Sequence, residues 1–184
     1  MIKDILLYMN KNFVPKLKLQ TVEHMQTSQF KHQVVLFPTI KQRLISILIK
    51  QIRNERDGNF IEKTQVRSAI QLLVEVGIQS KKIYETEFES VLLQETSEYF
   101  RQESNQLITD SSCSDYLKLA QKRLHEEYQR ITEYLCPTTE GKLIKAFLDE
   151  YIGERHSLTL LKMESSGLVY MIRNNQIAHL SLLF

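Results

Sequence analysis

The chain has 184 residues, 42% hydrophobic and 25% charged, enough for one ordinary domain or one and a half small ones. A net charge of +2 is too balanced to indicate nucleic-acid binding. No apolar run approaches the roughly 18 to 20 residues of a membrane span, and residues 1–13 lack the cleavage site of a signal peptide. The chain has only two cysteines, so we expect free thiols in a cytoplasmic or nuclear protein.

The first third of the sequence predicts three helices separated by prolines. Residues 1–14 form an amphipathic helix that Pro15 closes, because its ring cannot continue the hydrogen-bond ladder. Its apolar stripe is Ile2, Ile5, Leu6, Met9 and Phe13. Residues 19–37 predict a weaker helix whose inner face is Val22, Met25, Gln29, Phe30 and Val34. The third helix starts after Pro38, where Thr39 and Gln42 fit a capping box. Its stripe is Ile40, Leu44, Ile47, Leu48 and Ile52, and it ends at the turn of Asp57 and Gly58.

Two long helices between residues 88 and 135 organise the rest of the chain. A shorter helix with Val66, Ala69, Ile70 and Leu73 precedes them and ends at Gly77. The first long helix presents a stripe with a gap at Glu95 and Thr96: Phe88, Val91 or Leu92, Tyr99, Glu103 and Leu107. After a polar break at residues 109–114, Ser112 and Asp115 fit a capping box. The second long helix carries Leu117, Ala120, Leu124, Tyr128, Ile131 and Leu135.

The remaining sequence also indicates helices. Residues 136–140 start a helix that Gly153 ends, with the stripe Leu143, Ile144, Phe147, Leu148 and Tyr151. Residues 154–184 predict two or three short pieces with turns near 165–167 and 174–175. We find neither the hairpin pattern nor the parallel-sheet pattern, and the predicted fold class is therefore all-α.

Charge is unevenly distributed along the chain. Residues 41–67 carry seven basic side chains against three acidic ones, and residues 85–103 carry six acidic side chains against Arg101. Helices of opposite sign tend to pack together, although exposed pairs add only a few tenths of a kcal/mol each. Solvated faces on neighbouring helices are the simpler interpretation, and a docking surface is the alternative.

The sequence offers no catalytic or metal-binding motif. The run His125-Glu126-Glu127 has Gln129 where a zinc protease has its second histidine. His24 and His32 lie eight residues apart, with no cysteine or carboxylate placed to complete four ligands. A glycine-rich phosphate loop and a nucleophile elbow are both missing. We therefore predict a non-enzyme without catalytic residues, cofactor or metal.

Four sequence segments resemble those of a known family, where they occur in the same order and nearly without gaps. They are LIKQIRNERDGNFIEK at 48–63, AIQLLVEVG at 69–77, YETEFESVLLQETSEYFRQESNQLI at 84–108 and CSDYLKLAQKRLHEEYQRITEYLCPTTEGKLI at 113–144. Together they resemble the N-terminal cullin-repeat region of the cullin family. Residues 1–14 and 163–169 look most like the BTB-adaptor class of cullins.

This resemblance implies a stalk of stacked five-helix repeats, an α-solenoid-like rod. Residues 1–37 look like the end of a first repeat and residues 38–184 like a second repeat cut short at its end, roughly one and a half repeats in all. Full cullins also have a preceding adaptor-binding helix, and a region that holds the RING subunit, which this sequence lacks. The other adaptor-facing helix matches residues 19–37, with Val22, Glu23, Gln26 and Phe30 as candidate contacts. Glu23 stands where the BTB class tends to have a tyrosine.

The implied function is a non-catalytic scaffold fragment of a cullin-type ubiquitin ligase. Its partners would be proteins, a BTB-type adaptor or other ligase components, with binding weakened by the missing helices. The apolar ends, residues 2–13 and Leu180, Leu182, Leu183 and Phe184, predict self-association through one end, fraying there or the need for a partner. The alternatives are a helical tether or cytoskeletal rod, for which a basic lipid-binding patch is missing, and a truncated remnant without function.

Overall fold

The computed structural model describes residues 2–17, 21–30, 33–34, 37–75, 81–162 and 168–173. The chain divides into two compact units, residues 1–88 and 89–184. The first unit contains α1 (Ile2–Asn12), α2 (Val14–Leu17), α3 (Val22–Phe30), α4 (Pro38–Arg56) and α5 (Lys63–Glu75). A π-helix, Tyr84–Glu89, leads into the second unit, which contains α6 (Ser90–Asp110), α7 (Cys113–Glu133), α8 (Glu140–Tyr151), α9 (Glu154–Lys162) and α10 (Leu168–Arg173). No strand occurs in the described ranges, so the all-α prediction is confirmed there.

The N-terminal helix ends earlier than predicted. α1 ends at Asn12, Phe13 forms a turn, and the four-residue α2 contains Pro15 in its first turn. Proline is tolerated there because the first amides of a helix have no intrahelical partner. Pro15 therefore belongs to a new helix and is not the residue that closes the old one.

The predicted inner face of α3 is wrong for the side chains that the structure describes. Met25, Gln29, Phe30 and Val34 are all exposed. The side chain of Val22 lies outside the described residues, as do residues 31–32 and 35–36. Gln, Thr and Ser interrupt the apolar residues of α3, so the helix has no continuous apolar face to bury.

α4 begins at Pro38, and the predicted capping box is wrong. Phe37 is the N-cap without a side-chain hydrogen bond, and Pro38 occupies the first helical turn. The preset φ of proline and its missing N–H favour that position, which shifts the start one residue ahead of Thr39. The stripe is buried only in the second half of the helix, at Leu48 and Ile52. α5 buries Val66, Ile70 and Leu73, and the predicted stop at Gly77 lies outside the described residues.

The buried face of α6 differs from the predicted one. It consists of Leu92, Thr96, Phe100 and Ser104, at steps of four residues. Thr96 is fully buried because its hydroxyl donates to the Leu92 carbonyl 2.7 Å away, within its own helix. The prediction that the buried stripe is interrupted at Thr96 is therefore wrong. Three residues of the predicted stripe, Tyr99, Glu103 and Leu107, are only half-buried.

The predicted capping box at the start of α7 is confirmed. Ser112 is the N-cap, and its Oγ accepts from the Asp115 amide at 3.2 Å and donates to the Asp115 carboxylate at 2.7 Å. The break between α6 and α7 is shorter than predicted, only residues 111–112. Further along the helix, the predicted inner residue Tyr128 is exposed. Glu127 and Arg130 are buried instead, because each neutralises the other.

The core of the second unit lies among α6, α7, α8 and α9. It consists of Phe100, Cys113, Tyr116, Leu117, Ala120, Phe147, Tyr151 and Leu160. The predicted stripe of α8 is confirmed at Leu143, Phe147 and Tyr151, whereas Leu148 is exposed. Gly153 follows α8, and a Cβ there would come within 2.1 Å of the Asp149 carbonyl oxygen. The chain can leave α8 at this point only because residue 153 has no side chain.

Several predictions fall outside what the structure tests. The turns at 165–167 and 174–175 lie outside the described residues, although α9 and α10 agree with two short helical pieces. The repeat boundary after residue 37 stays a prediction. Lys41 Nζ lies 2.8 Å from Glu87 Oε2, in line with the predicted attraction between the basic and acidic segments.

Candidate functional site

The side chains that superficially resemble a zinc protease make structural contacts. His125 Nε2 lies 3.0 Å from Gln129 Nε2 on the exposed side of α7. Glu126 accepts from Arg123 at 2.9 Å, and Glu127 accepts from Arg130 at 2.8 Å. The two carboxylates therefore point to different arginines and do not converge on a common point.

Metal-ligating side chains do not cluster in the described part of the chain. No group of three or more His, Cys, Asp or Glu residues there could hold an ion. The side chain of His24 and the whole of His32 lie outside the described residues, so that pair stays a prediction. Cys113 and Cys136 are both buried and form no disulfide, and burial raises the pKa of the Cys113 thiol.

A polar cluster links α6, α7 and α8 inside the second unit. Glu103 on α6 accepts from Arg123 Nε at 3.1 Å and Nη2 at 2.5 Å, and also from the Tyr151 hydroxyl. Burial raises the pKa of the Tyr151 hydroxyl, and the hydrogen bond to Glu103 is the second largest cause of the rise. Tyr116 donates to the Tyr151 carbonyl at 2.8 Å. Since each group is held by a neighbour from another helix, the cluster fixes helix packing.

A second buried carboxylate, that of Glu89 just before α6, contacts both the residue before α8 and the first turn of α8. Glu89 accepts from the Thr139 hydroxyl at 2.8 Å and from Lys142 Nζ at 2.6 Å. Its side chain is almost fully buried, whereas that of Lys142 is about half exposed. Sequence reasoning missed this contact because a charged side chain is normally assigned to the surface.

An apolar groove lies between α7 and α8. Its volume is about 190 Å³, and its lining residues are Leu117, Ala120, Gln121, Leu124, Phe147, Leu148 and Ile152. Pockets for drug-sized ligands are usually about 300–1,000 Å³. The groove is smaller than such a site.

The first unit exposes large apolar side chains on α1, in the turn that follows it and on α3. We call them the apolar set of α1 and α3: Ile5, Leu7, Tyr8, Met9, Phe13, Met25 and Phe30. Tyr8 and Phe13 make an edge-to-face pair with ring centroids 6.0 Å apart. Of the predicted stripe of α1, Ile5, Met9 and Phe13 are exposed and Leu6 is half-buried, and the side chain of Ile2 lies outside the described residues. A large apolar side chain that stays fully in water forgoes about 1.5–3 kcal/mol relative to burial, so these partly exposed side chains favour a protein partner.

The candidate contact residues on α3 share one side of that helix. Val22, Gln26 and Phe30 follow at steps of four residues, and Glu23 is adjacent to them. Gln26 and Phe30 are exposed, and the side chains of Val22 and Glu23 lie outside the described residues. The structure thus places Gln26 and Phe30 where a partner could reach them. Tyr8 and Leu7, which the predicted stripe of α1 omitted, are exposed as well.

Comparison with protein families decides the relationship. The family model described as "Cullin alpha solenoid domain" matches this chain over residues 1–184. The chain belongs to the cullin family. This membership confirms the predicted resemblance and the predicted solenoid class of all-α fold.

Individual cullins match over nearly the whole chain. Cullin-3 of Dictyostelium discoideum is 35% identical over 184 residues, which are 100% of this chain and 24% of the relative. Cullin-3A of Arabidopsis thaliana is 34% identical over 176 residues, 96% of this chain and 24% of the relative. Cullin-like protein 3 of Arabidopsis thaliana is 33% identical over 140 residues, 76% of this chain and 54% of the relative. The chain therefore spans about a quarter of the two full-length cullins.

None of the described helices of this cullin segment combines the length and the apolar character needed to cross a bilayer.

Proposed function

We propose that this chain is a non-catalytic scaffold segment of a cullin-type ubiquitin ligase. It acts in ubiquitin-dependent protein catabolism by binding other components of the ligase. The match to the cullin solenoid over residues 1–184 carries this proposal. The contacts made by His125, Glu126 and Glu127 favour a structural role for these side chains.

Within that role, we infer that the first unit binds a BTB-type adaptor through α3. Interfaces gain most of their affinity from a few buried anchors, often aromatic. Phe30, 42% exposed, is such an aromatic candidate, and Gln26 lies one turn before it. Glu23 replaces the tyrosine of the BTB class with a carboxylate, which is costly to bury in an interface. The proposed contact with the adaptor is therefore weak.

We also propose that the segment works in the cytoplasm, the nucleus or both. Two buried cysteines that form no disulfide, Cys113 and Cys136, are typical of a reducing compartment.

Replacing Glu23 by tyrosine tests the adaptor proposal. We expect Glu23→Tyr to strengthen binding to a purified BTB adaptor by about tenfold, which is about 1.4 kcal/mol, because an aromatic anchor replaces a buried charge. Phe30→Ser should weaken binding. Isothermal titration calorimetry measures both changes.

The matched control is Gln71→Tyr, which adds the same side chain at an exposed position of α5. It should leave the affinity unchanged. Tight binding by the unmodified chain that neither Glu23→Tyr nor Phe30→Ser alters would show that the interface lies elsewhere.

A further inference from the structure

The outer side of α4 carries a ridge in which apolar and basic residues alternate. Ile40, Arg43, Ile47 and Lys50 follow one another at steps of three, four and three residues. This spacing places them along one side of the helix over about 15 Å. All four are exposed, Ile40 at 44% and Ile47 at 48%. We call these four residues the α4 ridge.

Other basic residues of α4 have partners within the first unit, in contrast to the ridge. Lys41 pairs with Glu87 at 2.8 Å, and Arg56 is buried. Neither Arg43 nor Lys50 takes part in an ion pair or hydrogen bond with the residues that the structure describes. Their charges are therefore available to a partner.

The charge of the whole first unit has the same sign as the ridge. Residues 1–88 contain 14 basic and 8 acidic side chains, a net charge of +6, whereas residues 89–184 contain 10 basic and 14 acidic ones, a net charge of −4. The overall value of +2 conceals this difference. A positive unit attracts an acidic partner over a distance, and unpaired positive side chains on the ridge then fix its position.

We propose that the α4 ridge docks an acidic amphipathic helix of a protein partner. Leucines or similar residues of that helix pack on Ile40 and Ile47, while carboxylates in the intervening turns meet Arg43 and Lys50. Nearly three turns of α4 match a partner helix of three turns or more. This docking surface is independent of the α3 contact and uses a different element of the first unit.

The alternation of the ridge favours a protein helix over other anions. A site for single-stranded nucleic acid carries aromatic side chains on which bases stack, and the four ridge residues include none. A membrane-surface helix buries its broad apolar face in lipid. In α4 the residues of that face, Leu48 and Ile52, are already buried inside the protein.

A designed peptide tests the proposal on the complete chain. The probe is a fluorescein-labelled 18-residue peptide with leucine and glutamate alternating at three- and four-residue steps. A scrambled peptide of the same composition is its control. Fluorescence anisotropy at 0.2 M salt, where long-range attraction is screened, measures the affinity. We expect the ordered peptide to bind at least tenfold more tightly than the scrambled one.

Variants of exposed residues then locate the site. Arg43→Glu with Lys50→Glu should weaken peptide binding at least tenfold, and Ile47→Ser about fivefold. The control, Arg67→Glu with Lys82→Glu, changes the net charge of the same unit by the same amount at exposed positions off the ridge. It should change the affinity less than threefold. Circular dichroism checks that all variants keep the helical content of the unmodified chain.

Three results would overturn the proposal. They are equal binding of ordered and scrambled peptides, no measurable binding of the ordered peptide, and unchanged binding in the variant with both ridge charges reversed. Vesicles of phosphatidylcholine with 30% phosphatidylserine and a 20-nucleotide thymidine strand are the further probes. Binding of either of them that depends on Arg43 and Lys50 and exceeds binding of the ordered peptide would also contradict a protein partner.

Discussion

Arg130→Met is expected to destabilise the second unit by about 3–5 kcal/mol. Arg130 and Glu127 lie one turn apart on α7, with Nη1 and Oε1 2.8 Å apart, and their side chains are 5% and 0% exposed. The substitution removes the buried ion pair of Glu127, and breaking a buried pair by removing one member typically costs this much. The total stability of a domain is only about 5–15 kcal/mol, so the loss is a large fraction of it.

The double variant distinguishes the charge from the packing. Glu127→Leu with Arg130→Met removes both charges, and we expect it to recover most of the lost stability, because replacing a whole buried pair by apolar residues is often neutral. Lys118→Met is the control, since Lys118 and Asp115 form an exposed pair on the same helix, 3.9 Å apart, worth about 0–1 kcal/mol. A double variant as unstable as Arg130→Met would contradict the electrostatic explanation.

Urea unfolding followed by tyrosine fluorescence suits these variants. The chain has no tryptophan and eight tyrosines, of which six lie in residues 89–184. The emission therefore reports mainly on the second unit. The shift of the urea midpoint, multiplied by the slope of the transition, gives the change in the free energy of unfolding.

Phe147→Ala is the second substitution with a large expected effect. Phe147 is fully buried, with its ring centroid 4.8 Å from that of Phe100 and 4.7 Å from that of Tyr151. Replacing a buried phenylalanine by alanine removes apolar burial and leaves a cavity, for a loss of about 3–5 kcal/mol. The same fluorescence measurement should show the second unit unfolding at much lower urea concentration.

The neighbouring residue supplies a matched control for Phe147. Leu148 is 37% exposed and follows Phe147 on α8, so Leu148→Ala removes a large apolar side chain from the same turn. We expect it to destabilise the unit by less than about 1 kcal/mol. Equal losses for Phe147→Ala and Leu148→Ala would show that the core of the second unit is not where the structure has it.

Hydrophobic periodicity predicted the second unit better than the first. Leu117, Ala120, Leu143, Phe147 and Tyr151 recur at helical spacing and are buried as predicted, because neighbouring helices of the same unit cover them. In α3 the same reasoning was wrong: Met25 and Phe30 have the spacing of a core but are exposed. Periodicity shows which face of a helix is apolar, and it cannot show whether another element covers that face.

The remaining errors concern polar residues in buried positions. Thr96, Glu127 and Arg130 lie in the core because each finds a hydrogen-bond partner on its own helix. A hydrophobicity scale places polar residues on the solvent side of a helix, so it places these three on the wrong side. For the candidate site, the sequence indicated α3 through a family resemblance alone, and the exposed Gln26 and Phe30 now add a physical reason.

The central claim is that the apolar set of α1 and α3 is a surface for protein partners, and hydrogen exchange tests it most directly. We expect the amides of Ile2–Asn12 and Val22–Phe30 to exchange much faster in the dilute chain than those of Cys113–Glu133. Raising the chain concentration or adding a BTB adaptor should slow the first two segments selectively. Light scattering should show self-association at the higher concentration. A chain that stays monomeric, with or without the adaptor, and whose Ile2–Asn12 exchanges as slowly as Cys113–Glu133, would contradict the claim.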